Sequence, residues 1–141
     1  MNFEDFIKEG QVRRAFKDIG LIKSLVNNAH RDLKFLESLN IDENSSRKIM
    51  VNYYDVLRSI LEAIALKDGY KIYLHDAFTY YLIEKKEQVL SIKFDRFRRI
   101  RNSINYYGKN ISIDEAKENI YDIKKIIKEL IKKYLGDLTK K

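Results

Sequence analysis

Not one proline interrupts this chain, and only five glycines are spread over its 141 residues. Proline and glycine are the strongest punctuation of local structure, so the sequence must fold from long, unbroken segments. Apolar residues within those segments recur at steps of three and four, the period of an amphipathic helix. Ile22, Val26, Ala29, Leu33 and Leu36 form one such stripe, and Ile113, Ala116, Ile120, Ile123, Ile127, Leu130 and Tyr134 form another.

The spacing predicts a short amphipathic segment over residues 3–7, then a long helix over about 12–39 that Gly20 can kink. A polar connection at 40–46 offers Asn44, Ser45 or Ser46 as the cap of a second helix reaching about Lys67. That helix is apolar on two flanks, Ile49, Tyr53, Val56 and Ile60 on one and Met50, Leu57, Leu61 and Ile64 on the other. A helix greasy on two sides is touched on two sides, so it belongs at the centre of a bundle. Asp68-Gly69 ends it, glycine supplying a left-handed cap. A third helix is expected over 71–84 and a fourth over 89–107. The last starts at Ser112, which forms a capping box with Glu115, and runs to Gly136. The expected architecture is a single all-α domain over 1–141, an up-and-down antiparallel bundle of four to five helices.

Composition narrows the chemistry. With no cysteine there is no thiol nucleophile, disulfide or thiolate metal site, and with only His30 and His75 a polyhistidine centre is not expected; no metal or cofactor is called for. His30 reads as a surface or boundary residue. His75, beside Asp76, can hydrogen-bond a neighbour or line a cleft. There is no glycine-rich phosphate loop, nucleophile elbow, HExxH or paired-carboxylate pattern. The acidic, polar start and the lack of an apolar run near twenty residues lead us to expect neither a signal peptide nor a membrane span, and a cytoplasmic location. The formal charge of +7 favours anionic partners. Much of it comes from Lys124, Lys125, Lys128, Lys132, Lys133, Lys140 and Lys141, a pattern that suits a solvated face.

The segment that stands out is DRFRRIRNSINYYG, residues 95–108. Phe97, Ile100, Ile104 and Tyr107 lie on one side of a helical wheel. Arg98, Arg101, Asn102 and Asn105 fall on the adjoining flank, with Tyr106 just beyond and Arg99 nearer the far side. Guanidinium forks and carboxamides grouped in this way suit a phosphodiester. The alternative is that these arginines pair with Asp55, Glu62 or other acids across the bundle. The tyrosines at 53, 54, 70, 73, 80 and 81 can stack on bases, although aromatics at helical spacing more often fill a core or an interface.

The run RIRNSINYYG, following NYYDVLRSILEAIALKDGYK, resembles the HEPN superfamily, the higher eukaryote and prokaryote nucleotide-binding domains. The resemblance covers the chain from the second helix to the last. It implies a four- or five-helix bundle that forms a homodimer, with the arginine helices facing each other across one composite cleft. Many members are metal-independent ribonucleases, some of them toxins paired with a nucleotidyltransferase antitoxin. The family signature is an arginine, commonly with asparagine after it, then four to six residues and a histidine. Arg101 and Asn102 match its opening, but tyrosines stand at 106 and 107 and the histidine is missing. The resemblance thus implies Arg101, Asn102 and Tyr106 as candidate catalytic positions and Arg98, Arg101, Asn102 and Asn105 as candidate nucleotide- or RNA-binding ones. A tyrosine with a pKa near 10 is a poor general base at neutral pH. The expectation is therefore RNA or nucleotide binding with weak or no cleavage. An active endoribonuclease toxin and a non-catalytic protein-interaction dimer are the alternatives.

Overall fold

The computed structural model describes residues 1–139 and is an all-helical bundle with one two-stranded ribbon. Helix α1 (Phe3–Lys8) is closed by a capping box in which Asn2 and Asp5 exchange side-chain and backbone hydrogen bonds, and it buries Phe3 and Phe6. Strand β1 (Val12–Arg14) follows, then α2 (Ile19–Glu37), α3 (Ser46–Lys67), β2 (Tyr70–Ile72), α4 (Asp76–Glu84), α5 (Gln88–Tyr107), α6 (Ile113–Tyr134) and the short α7 (Gly136–Thr139).

Helix α3 is the hub. It packs against α2, α6, α5 and β2, while α4 packs on α5 and α1. Both of its expected flanks are buried, from Ile49 and Met50 through Ile60 and Leu61 to Ile64. The predicted stripe of α2 also faces the core, with Leu33 half-buried. Gly69 follows α3 at φ +94°, a left-handed conformation that costs glycine nothing. At the start of α6 the Ser112 hydroxyl accepts from the Glu115 amide, the serine half of the expected capping box.

Three local expectations are corrected. Residues 12–14 are not the first turns of a long helix, and 70–72 are not the start of the third. They pair antiparallel, Val12 opposite Ile72, Arg13 opposite Lys71 and Arg14 opposite Tyr70. The Ala15 amide donates to Gly69 and the Tyr73 amide to Gln11, both at 2.9 Å. Val12 and Ile72 are buried, and the Asp18 carboxylate accepts from the Leu21 amide, delaying the helix to Ile19. A β-branched residue held by a distant partner thus overrides a weak local helical pattern. The entry to α3 also differs, because neither Ser45 nor Ser46 caps it through its side chain. Ser45 Oγ donates to the Asn40 carbonyl, and Ser46 Oγ donates to the Ile111 carbonyl, tying α3 to the segment before α6. Finally, Tyr107 is 76% exposed and leaves the apolar side of α5 to Phe97, Ile100 and Ile104.

Tyr54 of α3 stacks on Phe94 of α5 with ring centroids 5.5 Å apart, and Phe78 of α4 meets Phe94 edge-on at 5.9 Å. All three side chains are fully buried. Truncating a buried phenylalanine removes its transfer energy and leaves a cavity. Phe94→Ala is therefore expected to lose about 3–5 kcal/mol, measured as a lowered urea midpoint, and to loosen α4 and α5 together.

Candidate phosphate-binding site

Helix α5 carries four arginines, and its surroundings sort them. Arg96 reaches Asp122 of α6 at 3.3 Å, and Arg99 is held by Asp95 one turn back at 2.7 Å. Arg98, with its side chain only 15% exposed, is clamped between Asp76 at 2.9 Å and Asp95 at 2.7 Å. Burial pushes the Asp95 carboxyl up, but its hydrogen bonds from Arg98 and Arg99 outweigh that and hold it below the usual range. These three arginines are tied to acids, although not to the Asp55 and Glu62 that the sequence brings to mind.

Arg101 differs. Among the described residues no carboxylate forms an ion pair with it. Its Nη1 donates to the Asn102 carboxamide at 3.1 Å and to the Tyr106 phenol at 3.4 Å. Its guanidinium carbon lies 5.8 Å from the centre of the Tyr54 ring and 5.5 Å from that of Tyr106. The Nε atoms of Arg58, Arg98 and Arg101 are buried with no hydrogen-bond partner among the described residues. A buried donor left without a partner is costly, so this cluster is not fully satisfied by the protein itself.

Arg101, Asn102 and Tyr106 line one small cavity of about 270 Å³ together with Tyr73, Leu74, His75 and Asp76. Of the expected site residues, these first three come together. Arg98 stands beside them, locked by its two acids, and Asn105 is exposed outside the lining. The residues that the linear motif did not point to are Tyr54, Arg58 and Tyr73. Arg58 lies one helical turn from Tyr54 on α3, a face relationship that the sequence does carry, and it pairs with Glu62 at 3.2 Å.

His75 is the imidazole in this neighbourhood, supplied from the residue before α4 rather than from the downstream end of α5. Its Nδ1 is 3.1 Å from the Tyr54 hydroxyl. Burial lowers the His75 pKa to about 4, and Arg58, Arg101 and Arg98 push the same way against the opposing charge of Asp76. Burial also raises the Tyr54 phenol, with Arg101 and its neighbours resisting, so tyrosine and histidine are both neutral near pH 7. The hydrogen bond to Nδ1 is the one the phenol makes in the protein. The two groups share one hydrogen bond, and the tautomer of His75 sets which of them donates.

A larger cleft of about 760 Å³ opens where Arg47, Asn110 and Ser112 meet, but Glu43 and Asp114 line it too. The Ser112 hydroxyl and the Asp42 carboxylate already take up nearby backbone donors. Asp76 lines the Arg101 cavity as well, but it is paired to Arg98, whereas neither Glu43 nor Asp114 has an ion-pair partner among the described residues. Among the described residues there is no cluster of acids or histidines able to hold a metal ion, and no helix is long and apolar enough to cross a membrane. Of the C-terminal lysines, Lys124 pairs with Glu37 and Lys133 with Glu87, and Lys140 and Lys141 lie outside the described residues. Searched against protein-family models, curated proteins and solved structures, the chain finds no match.

A histidine whose folded pKa is depressed adds stability that is complete above its unfolded value of about 6.5 and is lost as pH falls toward about 4. Between about pH 7.5 and about pH 5 the urea midpoint of the wild type is expected to fall more than that of His75→Gln. Parallel losses in the two proteins would show that His75 is not the group being titrated.

Proposed function

We propose that this chain binds a phosphate group of RNA or of a nucleotide at the Arg101 cavity, with weak or no cleavage. The observation that carries this is the contrast among the clustered arginines. Arg58 and Arg98 are engaged by acids, whereas Arg101 faces the cavity with no carboxylate paired to it. Guanidinium presents a planar fork that a phosphate fills with two parallel hydrogen bonds. Asn102 already accepts from Arg101 through its oxygen, and its amide nitrogen is a further donor on the cavity lining. The neutral His75 lines the same cavity and keeps one ring nitrogen outside its bond to Tyr54.

The depressed pKa of His75 supports binding over cleavage. Attack by a ribose 2′-hydroxyl needs a group to accept its proton, and an imidazole with a pKa of about 4, one nitrogen already bonded to Tyr54, is a weak acceptor at neutral pH. The alternative, a metal-independent endoribonuclease toxin of a nucleotidyltransferase pair, is favoured by one feature: an imidazole does reach the arginine cavity. The homodimer implied by the family resemblance belongs to the same proposal. Val89, Ile92, Tyr106 and Tyr107 are exposed along α5 and suit the pairing of two copies through that helix.

Arg101→Ala is expected to weaken RNA binding by roughly tenfold or more, because a charge-assisted bidentate contact is lost. Arg99→Ala should change it little. Affinity should fall as salt rises, since phosphate contacts release counterions. Robust RNA cleavage in the presence of a chelator, abolished by Arg101→Ala, would overturn the binding-only reading in favour of the ribonuclease. Sedimentation should find a dimer at micromolar concentration, and monomer alone would count against the paired arrangement.

A further inference from the structure

One wall of the Arg101 cavity comes from an element that the arginine motif does not contain. Tyr73 follows β2 directly, lines the cavity, and is 58% exposed. Its backbone is fixed, because its amide donates to Gln11 across the ribbon at 2.9 Å. The ribbon is anchored in turn by buried Val12 and Ile72 and by Tyr70, which meets the buried Phe3 edge-on at 5.3 Å. Arg13 of β1 lays its guanidinium 5.6 Å from the centre of the Tyr73 ring, and its Nε donates to the Gly10 carbonyl at 3.4 Å. Tyr73 is therefore an aromatic ring on a rigid mount, backed by a cation on one face and still largely open to solvent.

We propose that Tyr73, backed by Arg13, is a stacking platform for one unpaired base whose phosphate lies at Arg101, so that the site takes a single-stranded nucleotide unit and rejects duplex. This rests on the phosphate reading of Arg101 given above. An isolated exposed tyrosine is ordinary. What sets this one apart is that it shares a cavity wall with an arginine free of carboxylates. A base stacks on an aromatic ring through a π-face that every base possesses, but bases in a duplex have both faces covered by their neighbours. Tyr106, on the same cavity, has its ring against Arg101, the group that takes the phosphate, whereas the cation behind Tyr73 is Arg13, which does not line the cavity. Asp76, which keeps one carboxylate oxygen outside its ion pair with Arg98, and the amide of Asn102 line the same space and offer one acceptor and one donor for a base edge. A volume of about 270 Å³ is small for a ligand pocket and suits one nucleotide rather than a longer stretch held entirely inside.

The test compares wild type, Tyr73→Ala, Tyr73→Phe and Arg101→Ala by calorimetry and by NMR titration, each variant first shown to melt like the wild type. The probes are a single-stranded octaribonucleotide, the same sequence as duplex, adenosine monophosphate and ribose 5-phosphate. Tyr73→Ala is expected to weaken the single strand roughly five- to a hundredfold and to leave ribose 5-phosphate unchanged. Tyr73→Phe should bind as wild type, and Arg101→Ala should weaken every probe. Adenosine monophosphate bound as tightly as the octamer assigns the site to free nucleotide, and tighter octamer binding assigns it to a strand; either outcome supports the platform if Tyr73→Ala reduces it. Octamer binding that Tyr73→Ala leaves unchanged, or equal affinity for duplex, overturns the platform while the phosphate site stands. A wild type that binds none of the four probes overturns both.

Discussion

Burial of Tyr54 is the constraint on which the rest of this molecule turns. Its ring is packed against Phe94 at the centre of the bundle, its hydroxyl reaches the His75 ring, and the Arg101 guanidinium lies over its face. A buried phenol must find a partner for its hydroxyl or forfeit the hydration it gave up. The acceptor it finds is on the residue before α4. One side chain from α3 thereby ties the residue before α4 to the aromatic packing between α3 and α5. The hydrophobic packing and the polar site are not separate layers here, since the same ring contributes to both.

The electrostatics follow from that packing. Arg58, Arg98 and Arg101 act together on a half-buried imidazole, and gathering like charges in a poorly solvated place is unfavourable unless acids or a ligand offset it. Glu62 serves Arg58, and Asp76 and Asp95 serve Arg98. Asp55, close enough to feel Arg58 and Arg101, is instead pushed toward its protonated form by burial, which those arginines only partly counter. The positive charge left over is concentrated at Arg101. It is a local property of the site and is independent of the chain's overall charge of +7, much of which lies on lysines elsewhere.

How far the sequence disclosed this depends on the range of the interactions involved. The stripes of α2, α3 and α6 were legible because helical periodicity is written in neighbouring residues and the core obeys it. Gly69 and Ser112 were legible because their roles at helix ends are also local. The β1–β2 ribbon was not, because Val12 and Ile72 owe their conformation to each other across most of the first half of the chain. The arginine segment was legible as a group, and its division was only half legible. A helical wheel separates Arg99 from the flank but cannot show that Arg98 is spent on two acids, one of them on another helix. Asn105 shares that flank in projection, yet it is exposed and stands outside the cavity lining. Tyr73 was one of several tyrosines, and its position beside Arg101 depends on the ribbon that local patterning missed.

His75 shows why a motif read along the chain is an incomplete description of a site. His75 arrives from upstream, brought in because α4 packs on α5, and its Nδ1 is already taken by a buried phenol. The residue type that the linear pattern lacks is thus present in space, but the function of an imidazole resides in its free nitrogen. With Nδ1 bonded to Tyr54, Nε2 is the nitrogen left to meet a ligand, and burial beside Arg58, Arg98 and Arg101 makes the ring a weak proton acceptor. The chemistry open to the cavity is therefore decided less by whether a histidine is near Arg101 than by which side of its ring the core has claimed.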